Sequence, residues 1–115
     1  MKGGSVILTP LLQADGLAKN RPALVFTAVS LFGDLLVCGI STRLRLQVPD
    51  FDEVVDSHDP DFSTSGLFAP SLIRLGYVTT VPLAVVKGRI GAISSVRYPR
   101  LVARLADLFS NLASP

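Results

Sequence analysis

The sequence holds one cysteine, Cys38, and one histidine, His58. A single thiol excludes an intrachain disulfide and points to a reducing compartment, so the expected location is cytoplasmic. No His or Asn stands near Cys38, which therefore reads as a packed thiol and not a nucleophile. One Cys and one His also make no metal-ligand set worth naming, and no cofactor is expected. Internal repeats and low-complexity segments are missing. The chain starts with a lone Lys2 ahead of Gly3-Gly4 and shows no convincing cleavage site after its short apolar run, so no signal peptide is expected. Nor is there a clean membrane span. Residues 23–40 just reach the length of a span, but Ser30, Gly33 and Asp34 break the middle, and two buried strands explain the run better.

What is present suits a β-rich domain. The 115 residues are enough for one domain, 1–115, and too few for two. Apolar residues make up 49% of them, with β-branched types spread between 9 Gly and 8 Pro, which favours strands over a helical bundle. Strands are expected at 6–11, where Pro10 signals an edge or an early end, and at 23–26 and 35–40. A polar loop is expected at 12–20. Residues 43–48 alternate basic and apolar types, as a half-exposed strand does, and 51–55 read as another short strand. An acidic, polar loop is expected at 57–65, and strands at 67–75, 78–86 and 89–93 complete the sheet. Leu101, Leu105, Leu108, Phe109 and Leu112 recur at helical spacing, predicting a helix over 99–113 with Pro99 in its first turn. That apolar stripe is expected to pack into the core and not to bind a partner.

The formal charge is only +2, but it is unevenly placed. Asp50, Asp52, Glu53, Asp56, Asp59 and Asp61 crowd one segment, read as a solvated loop. The remainder is basic: Arg21, Arg43, Arg45, Arg74, Lys87, Arg89, Arg97, Arg100 and Arg104 would provide a nucleic-acid track or, more plainly, an ordinary charged surface.

One local arrangement is more specific. Arg21-Pro22 opens the second strand and Ser41-Thr42 closes the third, while the Gly33-Asp34 step marks the turn between them. A turn centred near Phe32 places the residue facing Arg21 between Ser41 and Arg43. Cross-strand Cβ atoms lie roughly 4.5–5.5 Å apart, so a guanidinium and one or two hydroxyls should share one end of a rigid ladder. Such a cluster suits phosphate. The plainer readings are that Arg21 pairs with Asp15, that Ser41 merely ends a strand, and that Arg74 is an ordinary surface residue.

Several motifs in order resemble a known family. Gly4-Ser5-Val6-Ile7, Arg21-Pro22-Ala23-Leu24-Val25, Ile40-Ser41-Thr42, Asp61-Phe62 with Ser65-Gly66-Leu67, Pro70-Ser71-Leu72-Ile73-Arg74 and Gly88-Arg89-Ile90-Gly91 are together similar to the PemK/MazF toxins of type II toxin–antitoxin modules. The resemblance implies a mainly-β, SH3-like barrel of the PemK/MazF/CcdB type with a C-terminal helix. It also implies a homodimer, a metal-independent endoribonuclease acting on single-stranded RNA, and a cognate antitoxin as partner. The implied reaction is attack of a 2′-hydroxyl on the adjacent phosphate, leaving a cyclic phosphate and a 5′-hydroxyl. By the same resemblance Arg21 and Arg74 match family arginines at the phosphate, and Ser41 stands where the family usually has Thr. Thr42, Arg43, Gln13 and Lys19 are the expected substrate-binding residues.

The chain departs from the pattern at Ser5, Gly39 and Gly76, where the family has Asp, Pro and, in some members, an acidic residue. Asp15 is left as the candidate general base, with a solvated loop carboxylate as the alternative. Two other classes share the barrel: a CcdB-like gyrase-binding toxin and a catalytically inactive interaction module.

Overall fold

The computed structural model describes residues 1–113. Strands β1 (Ser5–Leu12), β2 (Ala18–Ala28) and β3 (Leu35–Ser41) form successive antiparallel hairpins, and β4 (Glu53–Val55), β5 (Ser71–Val81) and β6 (Gly88–Ala92) join the same sheet. Its order is β4-β5-β3-β2-β1-β6. A one-turn helix, α1 (Phe62–Ser65), precedes β5, and a long helix, α2 (Arg97–Leu112), follows β6. The expected mainly-β architecture with a C-terminal helix is thus present. Its sheet is curled into a half-barrel with β4 and β6 as edges.

Both faces of this sheet bury apolar side chains, which explains why β2 and β3 read as unbroken apolar runs. On one face Val6, Leu24, Phe26, Cys38, Ile40, Ile73 and Leu75 pack with Leu101 of α2. On the other, Ile7, Leu11, Ala23, Val25, Val37 and Val81 form a second cluster. Alternation at period two sends neighbours in one strand to opposite clusters. Each fully buried Leu, Ile or Val contributes about 1.5–3 kcal/mol to folding. Cys38 is fully buried, as expected; loss of solvation, with the charge of Asp52 adding to it, pushes its thiol pKa far up and leaves it inert.

Several boundaries differ from the sequence expectations. The β1–β2 ladder runs from Val6 opposite Leu24 to Leu12 opposite Ala18, so residues 18–20 are strand and the loop shrinks to 13–17. Pro10 lies inside β1 without ending it. The ladder to β6 stops at Leu8, so no neighbouring strand on that side needs the missing N–H. Residues 43–48 are not a strand: the Arg43 N–H donates to Ser41 Oγ at 3.1 Å, and Leu44–Leu46 close into a 3-10 turn. The strands expected at 67–75 and 78–86 are the single strand β5. Its pairing jumps from Val78 opposite Cys38 to Arg74 opposite Gly39 across a bulge containing Gly76, and the chain leaves the sheet at Pro82 for a 3-10 turn.

The acidic segment is the largest departure. It is not a solvated loop but the anchor of α2. Arg97, buried at the start of α2, donates from Nη1 to Glu53 Oε1, from Nη2 to Asp59 Oδ2 and from Nε to Asp61 Oδ2, each at 2.9 Å. Arg100 and Arg104, on the same side of α2, hold the other Glu53 oxygen at 2.6 and 3.0 Å. Asp52 is buried too, with Oδ1 accepting from the Leu75 N–H and Oδ2 from the Val48 N–H, both at 2.9 Å. Burial alone would raise the Glu53 carboxyl, but the hydrogen bond and charge of Arg100, then Arg104 and Arg97, hold its pKa below the ordinary range. Asp61 behaves alike: burial is outweighed by Arg97 and by the Ser94 N–H. Arg97, Arg100 and Arg104 are therefore committed to the fold and leave the pool of cations open to nucleic acid.

The apolar stripe of α2 is only half in the core. Leu101 is buried and Leu105 partly so, whereas Leu108, Phe109 and Leu112 are 40%, 59% and 65% exposed. Two family-motif glycines serve packing. Gly66 ends α1 at φ +77°, and a Cβ there would strike the Ile90 backbone, just as one at Gly91 would strike the backbone of Thr64 and Ser65. The pair lets α1 lie directly on β6.

Candidate functional site

The β2–β3 register carries the site. The ladder pairs Ala23 with Gly39, and carrying that register two residues further sets Arg21 opposite Ser41 at the end of β3. Paired residues share a face, so Lys19 and Arg21 emerge on the face where Ala23 and Val25 are buried. Gly39 and Ser41 lie on that face as well, and Arg74 joins them from β5, opposite Gly39. By ideal strand spacing and rise, the Arg21 and Arg74 backbones are about 12 Å apart, a gap that two extended arginine side chains span with Ser41 between them.

The charges on this face are free. Arg21 is exposed, and among the described residues the only hydrogen bond of its side chain is a long one, 3.3 Å, from Nη1 to the Asn20 carbonyl. Among the described residues, ion pairs involve only Arg97, Arg100 and Arg104, so Lys19, Arg21, Arg43 and Arg74 have no carboxylate partner. The Arg21–Asp15 pair entertained from sequence is not formed. Ser41 Oγ accepts from the Arg43 N–H, which fixes the hydroxyl and leaves its hydrogen to donate elsewhere. Thr42 and Arg43 follow it, both exposed.

The β1–β2 loop stands apart from this cluster. Asp15 is exposed, and its Oδ1 accepts from the Leu17 N–H at 3.0 Å in an Asx turn. Gln13 donates from Nε2 to the Leu11 carbonyl at 3.0 Å. The strand from Arg21 back to Ala18 covers about 10 Å, so the loop as folded does not bring Asp15 to the arginine. Thr9, opposite Arg21 in β1, is fully buried, and its Oγ1 is the one buried side-chain polar atom among the described residues with no hydrogen-bond partner.

One member of the cluster was not foreseen from sequence. Tyr77 leaves the β5 bulge and lies over Gly39, where a Cβ would meet its Cγ at 3.4 Å. The Arg74 guanidinium carbon sits 5.9 Å from the centre of its ring, and its hydroxyl donates to the Leu12 carbonyl at 2.6 Å. The one available signal was a glycine, Gly39, in the middle of an otherwise large-residue strand. A face with guanidiniums that pair with no carboxylate and a fixed hydroxyl can bind and polarise a phosphate.

The curled six-stranded sheet closed by one C-terminal helix is a MazF-like fold. Among solved structures, the Mycobacterium tuberculosis toxin MazF-mt6 matches it with a TM-score of 0.68, covering 92% of this chain and 96% of that one at 23% sequence identity. That identity speaks for the fold. No family model matches the sequence, and no curated protein matches it significantly. Among the described residues, no helix is long and apolar enough to cross a membrane.

Proposed function

We propose that this chain is the toxin of a toxin–antitoxin module and acts as an endoribonuclease on single-stranded RNA. The observation that carries the reading is the pair Arg21 and Arg74, both without a carboxylate partner, on one face beside the Ser41 hydroxyl. In the proposed reaction a 2′-oxygen attacks the adjacent phosphorus as its proton leaves to a base, and the bond to the 5′-oxygen breaks as that oxygen gains a proton. The products are a cyclic phosphate and a 5′-hydroxyl. Arg21 and Ser41 bind the phosphate, and Arg74 supports the charge that builds on its oxygens, so fixed guanidinium charge does the work of a metal ion. Asp15 serves as base once the β1–β2 loop folds over bound RNA; Lys19, Gln13, Thr42 and Arg43 line the path of the strand.

The partner proposed for this face is an antitoxin whose disordered acidic tail covers Arg21, and the working form proposed is a homodimer. A gyrase-binding toxin of the same fold would have no use for a phosphate site. Incubation of the purified protein with mixed-sequence RNA, with and without a chelator, tests the choice. Chelator-resistant cleavage supports the nuclease; no cleavage at high protein concentration favours a binding role.

A further inference from the structure

We infer that Tyr77 is a positioning residue, one that ties the β1–β2 loop to Arg74 and so sets the geometry of the phosphate face. The inference rests on the nuclease reading for its kinetic half only. Tyr77 reaches three parts of the site at once. Its ring is seated on Gly39 in the centre of β3, one face carries the Arg74 guanidinium, and its hydroxyl donates to the Leu12 carbonyl at the root of the loop that bears Gln13 and Asp15.

Two local features meet at this contact. The β5 ladder skips three residues between Arg74 and Val78, and that bulge aims Tyr77 inward. Gly39 stands where the resembling family has proline, and the Tyr77 ring packs closely on it, its Cγ 3.4 Å from where a Cβ would stand. Gly76 lies in the bulge with open space around it, Tyr77 follows it, and Gly39 lies beneath the ring. Past Leu12 the loop's backbone bonds are internal to it, from the Gln13 N–H to the Leu17 carbonyl and from the Gly16 N–H to the Gln13 carbonyl. The Tyr77 hydroxyl is what connects that hairpin end to β5 across the sheet.

The test compares the full-length chain with Tyr77→Phe and Tyr77→Leu. Phe keeps the ring beneath Arg74 and loses the bond to Leu12, whereas Leu loses both. Amide hydrogen exchange over residues 12–17 is expected to speed up about five- to tenfold in Tyr77→Phe, the size of one lost hydrogen bond, with Val25 and Val37 unchanged. In cleavage of a mixed-sequence RNA, Tyr77→Phe is expected to lower kcat with KM held, and Tyr77→Leu to raise KM as well. Unchanged exchange in Tyr77→Phe overturns the tether. Faster exchange with unaltered kcat overturns the positioning role. If the wild-type chain does not cleave RNA, the nuclease reading fails, and the exchange result alone decides whether Tyr77 holds the loop.

Discussion

Arg97 grips Asp61 with two parallel hydrogen bonds, Nε to Oδ2 at 2.9 Å and Nη2 to Oδ1 at 3.0 Å, and both side chains are buried. This fork-to-fork pair joins the first turn of α2 to the residue just before α1, 36 positions earlier in the chain. Among the described residues the arginines fall into two sets: Arg97, Arg100 and Arg104, which pair with carboxylates, and the rest, which do not.

Removing one side of that pair leaves a buried charge alone. Arg97→Ala is expected to destabilise the fold by about 3–5 kcal/mol, read as a lower urea midpoint at unchanged slope. A loss below about 1 kcal/mol would show that α2 is held by its apolar contacts and not by the ion cluster.

The same cluster sets an acid limit. The Asp59 N-terminal neighbourhood contributes first through the Asp56 N–H, which donates to its carboxylate, and Arg97 then lowers Asp59, Asp61 and Glu53 further. Carboxyl groups with depressed folded-state pKa values stabilise the fold above their unfolded values, near about pH 4, and the stability is lost as pH falls through the folded values. The melting temperature is therefore expected to be flat above about pH 5 and to drop steeply below pH 4. A protein with Arg97→Met should show a shallower drop, and an identical one would contradict the assignment.

Gly91→Ala brings a Cβ onto the backbone of Thr64 and Ser65, where neither can yield as a flexible side chain would. The expected cost is about 1–3 kcal/mol, measured by denaturant unfolding. A neutral substitution would mean that α1 is free to move off β6.

Thr9→Val replaces the unpartnered hydroxyl by a methyl of the same shape. Stability is expected to rise by about 1 kcal/mol, because a buried unsatisfied group is removed. A fall would show that Oγ1 has a partner in solution.

The parts of this molecule that were legible in sequence are those fixed locally. The hairpin about Gly33-Asp34, the period of α2 and the packed state of Cys38 follow from turn chemistry and alternation; the residue facing Arg21 is narrowed only to the stretch from Ser41 to Arg43, because the bulge between Val25 and Thr27 shifts the register. What the sequence did not disclose depends on partners distant in the chain. Nothing in the run from Asp50 to Asp61 announces that Arg97, Arg100 and Arg104 will fold onto it, so its charge read as solvation. The expected break at Gly76-Tyr77 marked where β5 is irregular, but nothing near Arg74 announces that Tyr77 will reach across to Gly39. The break at 43–48 came from a Ser41 hydroxyl competing for the Arg43 N–H, a contact that alternation cannot register.

The most direct measurement compares the wild-type chain with Arg21→Ala on a single-stranded RNA of mixed sequence in the presence of a chelator, each protein checked for an unchanged melting temperature. The expected result is cleavage by the wild type that leaves a cyclic phosphate, and a rate reduced by roughly 10²–10³-fold in the variant. Near-normal turnover by a folded Arg21→Ala protein would contradict the assignment of that guanidinium to the phosphate.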